Sequence, residues 1–458
     1  MQKSVRPTII MNNPRWIDMN SENQLREEIL EKTKEIYTRR ESQAHFVPGQ
    51  SKVHYAGRVY DEKEMQAMVD SVLDFWLTLG KNGNKFISDF LSFMDMKYGL
   101  VVNSGSSANL IAISALCSPN LPHPMKPGDE VITTALTFPT TLNPLLQNGL
   151  VPVFVDVEEG TYNIDAAKLE QALSNKTRAV MFAHTLGNPA EMDHIMEFAK
   201  ANDLYVIEDT CDALDSYYDG KRCGTYGDIS TYSFYAAHHI TMGEGGALLT
   251  NNLNLYRQAL SIRDWGRACY CQTGEENPDG ACGHRFDHII EGLPEGYDHK
   301  YVYNNIGYNL KPLDMQCAMG IEQLKKLPQF SKKRKENFSI LYDGLKKHEE
   351  YFILPKALPK AEPSWFSFPI TLRDKNSFSR RDLVKYLEEN QIETRMLFAG
   401  NILNQPAYRN IPHRVCGDLI HTEKVLHDTF FIGVYPGLTK EMLSYVIEVI
   451  DQYRRLIV

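Results

Sequence analysis

Between residues 56 and 330 the chain repeats one pattern: a short apolar, β-rich run followed by a turn or a helical stretch. The runs are YGLVVNS, DEVITTA, VPVFVDV, RAVMFAH and LYVIEDT. A strand that is apolar at nearly every position has no face to give to water, so both its faces must be covered. Strands of this kind alternating with helices predict an α/β fold with a mainly parallel sheet between helical layers. Ligands gather at the carboxyl ends of the strands in such sheets. Ser104 to Ser107, His184, Asp209 and Ser233 fall at those ends.

The flanks read differently. Residues 1–55 form an arm, in which Ser21 to Gln24 has the composition of a capping box opening a charged helix, QLREEILEKTKEIYTRRE. That helix is exposed or meets another subunit. Residues 56–330 are the large unit. Residues 331–458 are read as a smaller C-terminal α/β domain, with the charged helix FSKKRKENFSILYDGLKKHEEY near its start, then FSFPITL and SRRDLVKYLEENQ. A net charge of −9 and no long basic block argue against nucleic acid as a partner. No run is apolar enough to cross a bilayer, and the start has no signal-type pattern, so no membrane partner and a cytoplasmic location are expected. Eight cysteines in a large chain of that kind point to metal or chemistry before disulfides.

VVNSGSSANL (101–110) is a strand, a Gly/Ser turn and a helix start. Free backbone N–H groups at Gly105, Ser106 and Ser107 would bind phosphate there, with Ser233 adding a hydroxyl; a plain helix cap is the competing reading. Asp209, just past an apolar strand, could pair with a protonated pyridine nitrogen or serve as an N-cap. Phe138 in LTFPTTLNP offers a ring for a flat cofactor, or for core packing.

In order, these segments are the Gly-Ser-Ser turn, TFPTT, FVDVE, EDT, SFYxxH and GEGG. Together they resemble the DegT/DnrJ/EryC1/StrS sugar aminotransferase family of fold-type I pyridoxal-phosphate enzymes, over about residues 55 to 458. The resemblance implies a homodimer with active sites at the subunit interface. It also implies that Asn309, in GYNLKPLDMQCAMGIEQL, reaches the partner's cofactor phosphate.

The family's segment runs Ser-Phe-x-x-x-Lys, and its lysine bonds the cofactor covalently. Here SFYAAHHITMGEGG places His238 at that position. Imidazole forms no stable bond of that kind but can move a proton near neutrality. The resemblance is therefore to the family's 3-dehydrases, which hold pyridoxamine 5′-phosphate (or pyridoxal 5′-phosphate) non-covalently. In them the histidine takes a proton from the cofactor's C4′ and the sugar's C3 hydroxyl is expelled. His239 is read as a packing neighbour.

Cys269, Cys271 and Cys282 cluster in a Gly-, Asn- and Asp-rich stretch, 265–287, and Cys211 lies beside Asp209. Four thiolates suit either a [2Fe–2S] cluster or zinc. The pattern Cys211-x57-Cys269-x-Cys271-x10-Cys282, joined to His238, resembles the branch of the family acting on CDP-4-keto-6-deoxyhexoses. Those enzymes carry a [2Fe–2S] cluster on a long-gap, Cys-x-Cys, Cys pattern, with a shorter last gap than this one. The resemblance implies a CDP-linked substrate and a separate NADH-dependent flavin/iron–sulfur reductase as partner, in 3,6-dideoxysugar synthesis. Cys117, Cys223, Cys317 and Cys416 read as ordinary buried thiols. In TRMLFAGNILNQPAY (394–408), Arg395 suits a diphosphate, with Asn401 and Gln405 as further substrate contacts. The alternatives are a cluster-free, glutamate-fed 3-dehydratase and a non-catalytic nucleotide-sugar-binding homologue.

Overall fold

The structure is a computed structural model that describes residues 19–41, 45–271, 283–374 and 378–457. Its centre is an 8-stranded sheet. In spatial order the strands are Tyr98–Val102, Gly246–Thr250, Ile229–Ser233, Tyr205–Asp209, Thr177–Ala183, Glu130–Thr134, Val151–Val155 and Arg414–Val415. All neighbours pair in parallel except Gly246–Thr250, which is antiparallel to the strands on both its sides. The mainly parallel α/β sheet expected from the sequence is thus present.

The apolar runs are explained by double coverage. Along a strand, successive side chains point to opposite faces. Val131, Met181 and Ile207 enter one core with the helices Gly105–Leu116 and Leu253–Arg263. Their neighbours Ile132, Val180 and Val206 enter another, with the helix Met192–Ala201. A polar residue at any of these positions would be buried without water, so the period-two polarity of a half-exposed strand is missing.

A second sheet is antiparallel and joins Phe352–Ile353, Ser367–Leu372 and Thr429–Gly433. It packs with the helices Arg380–Glu389 and Lys440–Ile457 into a separate core. Helix Asp314–Leu345 links the two regions: Cys317, Ile321 and Leu324 lie in a core beside the large sheet, and Leu341 and Leu345 lie in the second core. The chain then returns, since Ile402 enters the first core and Arg414–Val415 extends the edge of the large sheet.

The arm helix spans Met19–Glu41. It begins two residues before Ser21, so Ser21 lies in the first helical turn. A cap residue must have non-helical backbone angles, and the expected capping box is therefore not the helix start. The helix docks on its own chain: Arg26 bonds Asp70 at 2.7 Å and Asp74 at 2.9 Å, on or just after helix Glu62–Leu73. Among the described residues no helix is long and apolar enough to cross a membrane.

Candidate active site

The carboxyl ends of the strands open into a cavity of roughly 760 Å³. Gly105, Ser106, Phe138, Asp209, Cys211, Ser233, His238, Arg395 and Gln405 all line it. These residues are far apart in sequence. Parallel topology delivers each at the same edge of the sheet.

Helix Gly105–Leu116 starts at this edge, capped by Ser104, whose Oγ accepts from the Ser107 N–H at 3.1 Å. Ser107 closes the cap and does not line the cavity, whereas Gly105 and Ser106 do. A Cβ at Gly105 would lie 2.6 Å from the Cβ of Ser233 and 2.9 Å from Cys211 Sγ. Only glycine lets the three segments meet there and leaves the helix's first amides open to an anion.

Asp209 ends its strand and is buried. Its Oδ2 accepts from Thr141 Oγ1 at 2.7 Å and Asn109 Nδ2 at 2.8 Å, and its Oδ1 accepts from the Cys211 N–H at 3.2 Å. Thr231 in turn donates to Asn109 Oδ1 at 2.6 Å, which fixes the amide's orientation. Asp209 is therefore held rigid, with acceptor capacity left for one donor from the cavity. Phe138 is 52% exposed although it is a large apolar ring. It stands at the start of helix Pro139–Gln147, against the edge of Phe398.

His238 sits in the floor. Its Nδ1 lies 3.4 Å from Asp212 Oδ1 and is sealed from solvent without forming a hydrogen bond. Phe366 flanks the ring at a centroid distance of 5.4 Å. A reacting atom is thus shut out from Nδ1, which leaves Nε2 as the candidate acceptor. Burial pushes the imidazole down to about 4, partly opposed by the nearby Cys211 backbone and the charge of Asp209. Burial, followed by the charge of Asp209, pushes Asp212 up to about 7. The wall behind is tied together by buried Arg334, which donates to the carbonyls of Trp365, Phe366 and His238 at 3.2, 3.0 and 3.3 Å. Among the described residues no lysine lines the cavity. His239 is buried and bonds the Ser364 carbonyl at 2.5 Å, a packing role.

On the opposite side Arg395 stacks over Tyr55 at 4.2 Å and bonds the Thr394 carbonyl. Gln405 also reaches the cavity. Asn401 does not: it is buried, its amide donates to Glu423 at 2.6 Å, and its Oδ1 caps a short helical turn at Leu403. Asn309 lies outside the cavity of its own chain and accepts from Lys311 at 2.8 Å. His184, also at a strand end, is fully buried; it bonds Glu208 at 3.0 Å and accepts from the Ala190 N–H at 3.1 Å, so it serves the core.

The cysteines are only partly assembled. Cys211 is in the cavity wall, and burial raises its thiol well above the usual value, which opposes the thiolate a metal requires. Cys269 and Cys271 are neighbours, with the Cys271 N–H 3.4 Å from Cys269 Sγ. Cys282 lies outside the described residues. Among the described residues no group of three His, Cys, Asp or Glu side chains is placed to hold a metal ion. Cys211, Cys269 and Cys271 are therefore not gathered into a cluster site here. Cys223 and Cys317 are buried, and Cys117 and Cys416 partly so.

Sequence reasoning missed Asn109, Thr141, Asp212 and Arg334. Asn109 and Thr141 stand within quoted motifs and Asp212 follows Cys211, but only the fold shows which way they face.

Comparison with known proteins agrees with this geometry. The DegT/DnrJ/EryC1/StrS aminotransferase family model matches residues 59–451. The lipopolysaccharide biosynthesis protein RfbH of Salmonella typhimurium is 48% identical over 94% of this chain and 98% of its own. The dTDP-4-dehydro-2,6-dideoxy-D-glucose 3-dehydratase of Saccharopolyspora spinosa is 46% identical over 91% of this chain and 90% of its own. Among solved structures, the GDP-4-keto-6-deoxy-D-mannose-3-dehydratase of E. coli with bound hydrated PLP superposes with a TM-score of 0.79. It is 29% identical and covers 87% of this chain and 99% of its own.

Proposed function

The chain belongs to the DegT/DnrJ/EryC1/StrS aminotransferase family, and on that footing we propose that it is a pyridoxamine-phosphate-dependent 3-dehydrase of a nucleotide-linked 4-keto-6-deoxyhexose. The observation that carries this reading is His238. It occupies the family's lysine position, on the floor of a cavity that no lysine among the described residues lines, close to a rigidly held aspartate. Two relatives named as 3-dehydratases support the same reaction class.

The cavity suits pyridoxamine phosphate. Its phosphate would lie at the first amides of helix Gly105–Leu116, beside Ser106 and Ser233. Asp209 would pair with the ring nitrogen and Phe138 would cover a ring face. When bound, the cofactor supplies an amine for a 4-keto group and a ring that takes up electrons. The chain's own task is proton movement: neutral His238 accepts at Nε2, and Phe366 and the apolar wall around it exclude water. Arg395 and Gln405 would face the nucleotide diphosphate, and Asn309 would serve the cofactor phosphate of a partner subunit in a homodimer.

The finer reading is a CDP-linked substrate, a [2Fe–2S] cluster on Cys211, Cys269, Cys271 and Cys282, and a separate NADH-dependent flavin/iron–sulfur reductase. The product would be a 3,6-dideoxysugar precursor for a surface polysaccharide such as O-antigen. What supports the cluster is cysteine spacing; the described cysteines are not gathered into such a site. What supports CDP is the same spacing joined to His238; a relative named for a dTDP-sugar is 46% identical.

The test is to load the protein with pyridoxamine phosphate, supply either NADH with a flavin/iron–sulfur reductase or glutamate, and follow C3 deoxygenation of CDP-, dTDP- and GDP-linked 4-keto-6-deoxyhexoses under each. Turnover of none would defeat the dehydrase reading, and preference for dTDP would remove CDP. Anaerobic reconstitution, with iron and sulfide analysis and EPR, decides the cluster. About two irons and two sulfides per chain, lost in Cys269→Ser, would uphold it. No iron, with turnover fed by glutamate, would give the cluster-free dehydratase.

A further inference from the structure

A second cavity, of roughly 880 Å³, opens between helix Asp314–Leu345 and the short hairpin Tyr217–Tyr218/Lys221–Arg222. It shares no lining residue with the cofactor cavity. The helix presents one face to it: Ser331, Lys335 and Ser339 recur four apart, as do Lys332, Glu336 and Ile340.

Arg222 is the fixed point of this cleft. Its guanidinium lies over the Phe93 ring at 4.3 Å and the Tyr217 ring at 5.1 Å. Nε stands 3.6 Å from Asp215 Oδ1, close enough for an ion pair but not hydrogen-bonded. Asp215 also accepts from the Tyr217 hydroxyl at 3.1 Å. Among the described residues no acceptor meets the two terminal amino groups. A guanidinium held by its faces, with its hydrogen-bonding edge unused, has lost its conformational freedom in advance of binding an oxyanion. The charges agree. Both lining carboxylates already have a cation, Asp215 with Arg222 and Glu336 with Lys332 at 4.0 Å. Lys335 and Lys440 also line the cleft and have no acidic partner among the described residues.

We propose that this cleft binds the diphosphate group of a small phosphorylated metabolite, at a site separate from the catalytic one. A single carboxylate would satisfy Arg222 and leave both ammonium groups unmatched, whereas a diphosphate supplies enough charge and oxygen atoms for all three. The cavity is also larger than a lone phosphate needs.

The probe is inorganic diphosphate, titrated calorimetrically into the pyridoxamine-phosphate-loaded protein. The expected result is a site that survives Arg395→Gln, an alteration in the cofactor cavity, and weakens as salt rises. Arg222→Gln weakens it at least about tenfold. Lys335→Gln and Lys440→Gln each weaken it about threefold, with the rate of the catalysed reaction unchanged. The lysine variants carry the test if Arg222→Gln does not fold, as circular dichroism would reveal. Unaltered binding in both lysine variants, or binding abolished by Arg395→Gln, overturns the proposal. Because catalytic turnover is scored separately, failure of this site and failure of the dehydrase reading are distinct results.

Discussion

The two walls of the cofactor cavity are built by different means. One wall is the carboxyl edge of the sheet, where Gly105, Asp209, Ser233 and His238 arrive on strand ends or within a few residues of them. The other is the segment around Arg395 to Tyr408, which has only short helical turns and is anchored by isolated bonds such as Arg395 to Phe431 across a single bridge. On the sheet wall, position in the sequence nearly determines position in the cavity, because parallel strands all end at one edge. On the segment wall it does not. Arg395 and Gln405 reach the cavity, while Asn401, between them, turns to Glu423. A fixed scaffold thus carries the chemistry, and a conformationally specific loop carries the substrate contacts.

The largest effect should come from the sheet wall. His238→Asn should slow exchange of the cofactor's C4′ proton by ~10²–10⁴-fold, the usual worth of a positioned general base. Cofactor binding should be nearly unchanged, since Gly105, Asp209 and Phe138 are untouched. Deuterium exchange followed by NMR, with cofactor affinity from absorbance, checks both halves. Wild-type exchange in the variant would remove His238 from the chemistry.

Arg395→Gln probes the other wall. A hydrogen bond to a charged group is worth about 1.5–3 kcal/mol, so KM for the nucleotide-sugar should rise about ten- to a hundredfold. At saturating nucleotide-sugar, exchange of the C4′ proton should not change. An altered exchange rate would mean that the walls do not divide the labour in this way.

Much of this division was legible in advance. The apolar runs gave the sheet, and its edge gave Asp209 and Ser233. His238 stood out because one expected lysine was absent. What escaped was orientation. Thr141 and Asn109 lie in motifs read for other reasons, and only their shared bond to Asp209 reveals their task. Asp212 reads as one more acid just past the EDT run, and Arg334 as one cation in a charged helix. His184 had the strand-end position but points into the core, where Glu208 neutralises its polarity. The cysteine pattern was plain in sequence, yet Cys211 is in a cavity wall and Cys269 and Cys271 are elsewhere. Loops that ligate metals commonly take their shape from the metal itself, so spacing alone cannot supply the geometry.

A smaller effect concerns the pH profile. Below pH about 4 His238 is protonated and cannot accept a proton. Between about 4 and about 7 it is neutral beside a protonated Asp212. An acid O–H then faces Nδ1, which favours the ring proton on Nε2, the nitrogen needed as acceptor. Above about 7 the Asp212 carboxylate instead receives Nδ1–H and frees Nε2. Exchange should therefore rise as pH passes 7, by about tenfold, the lower end of what an orienting partner is worth. Asp212→Asn should flatten that rise, and Asp212→Leu should lower the plateau at pH 8. A rise that persists in Asp212→Leu would assign it to another group.

The smallest kinetic effect belongs to Asn401, and it tests the segment wall most sharply. Its sequence position beside Arg395 and Gln405 favours a substrate contact. Its bonds to Glu423 and Leu403 favour a role in holding the segment's own turn. The two roles separate in Asn401→Ala. A substrate contact would raise KM several-fold and leave the melting temperature alone. A helix-turn cap costs about 1 kcal/mol of stability when truncated, and here Glu423 also loses a buried partner, so the melting temperature should fall by a few degrees. KM at a temperature well below the melt should stay within about twofold of wild type, since surrounding structure keeps Arg395 over Tyr55. A raised KM with unchanged melting would show that the segment moves when substrate arrives, turning Asn401 inward, and the contrast between a fixed and a folded wall would become one between a fixed and a closing wall.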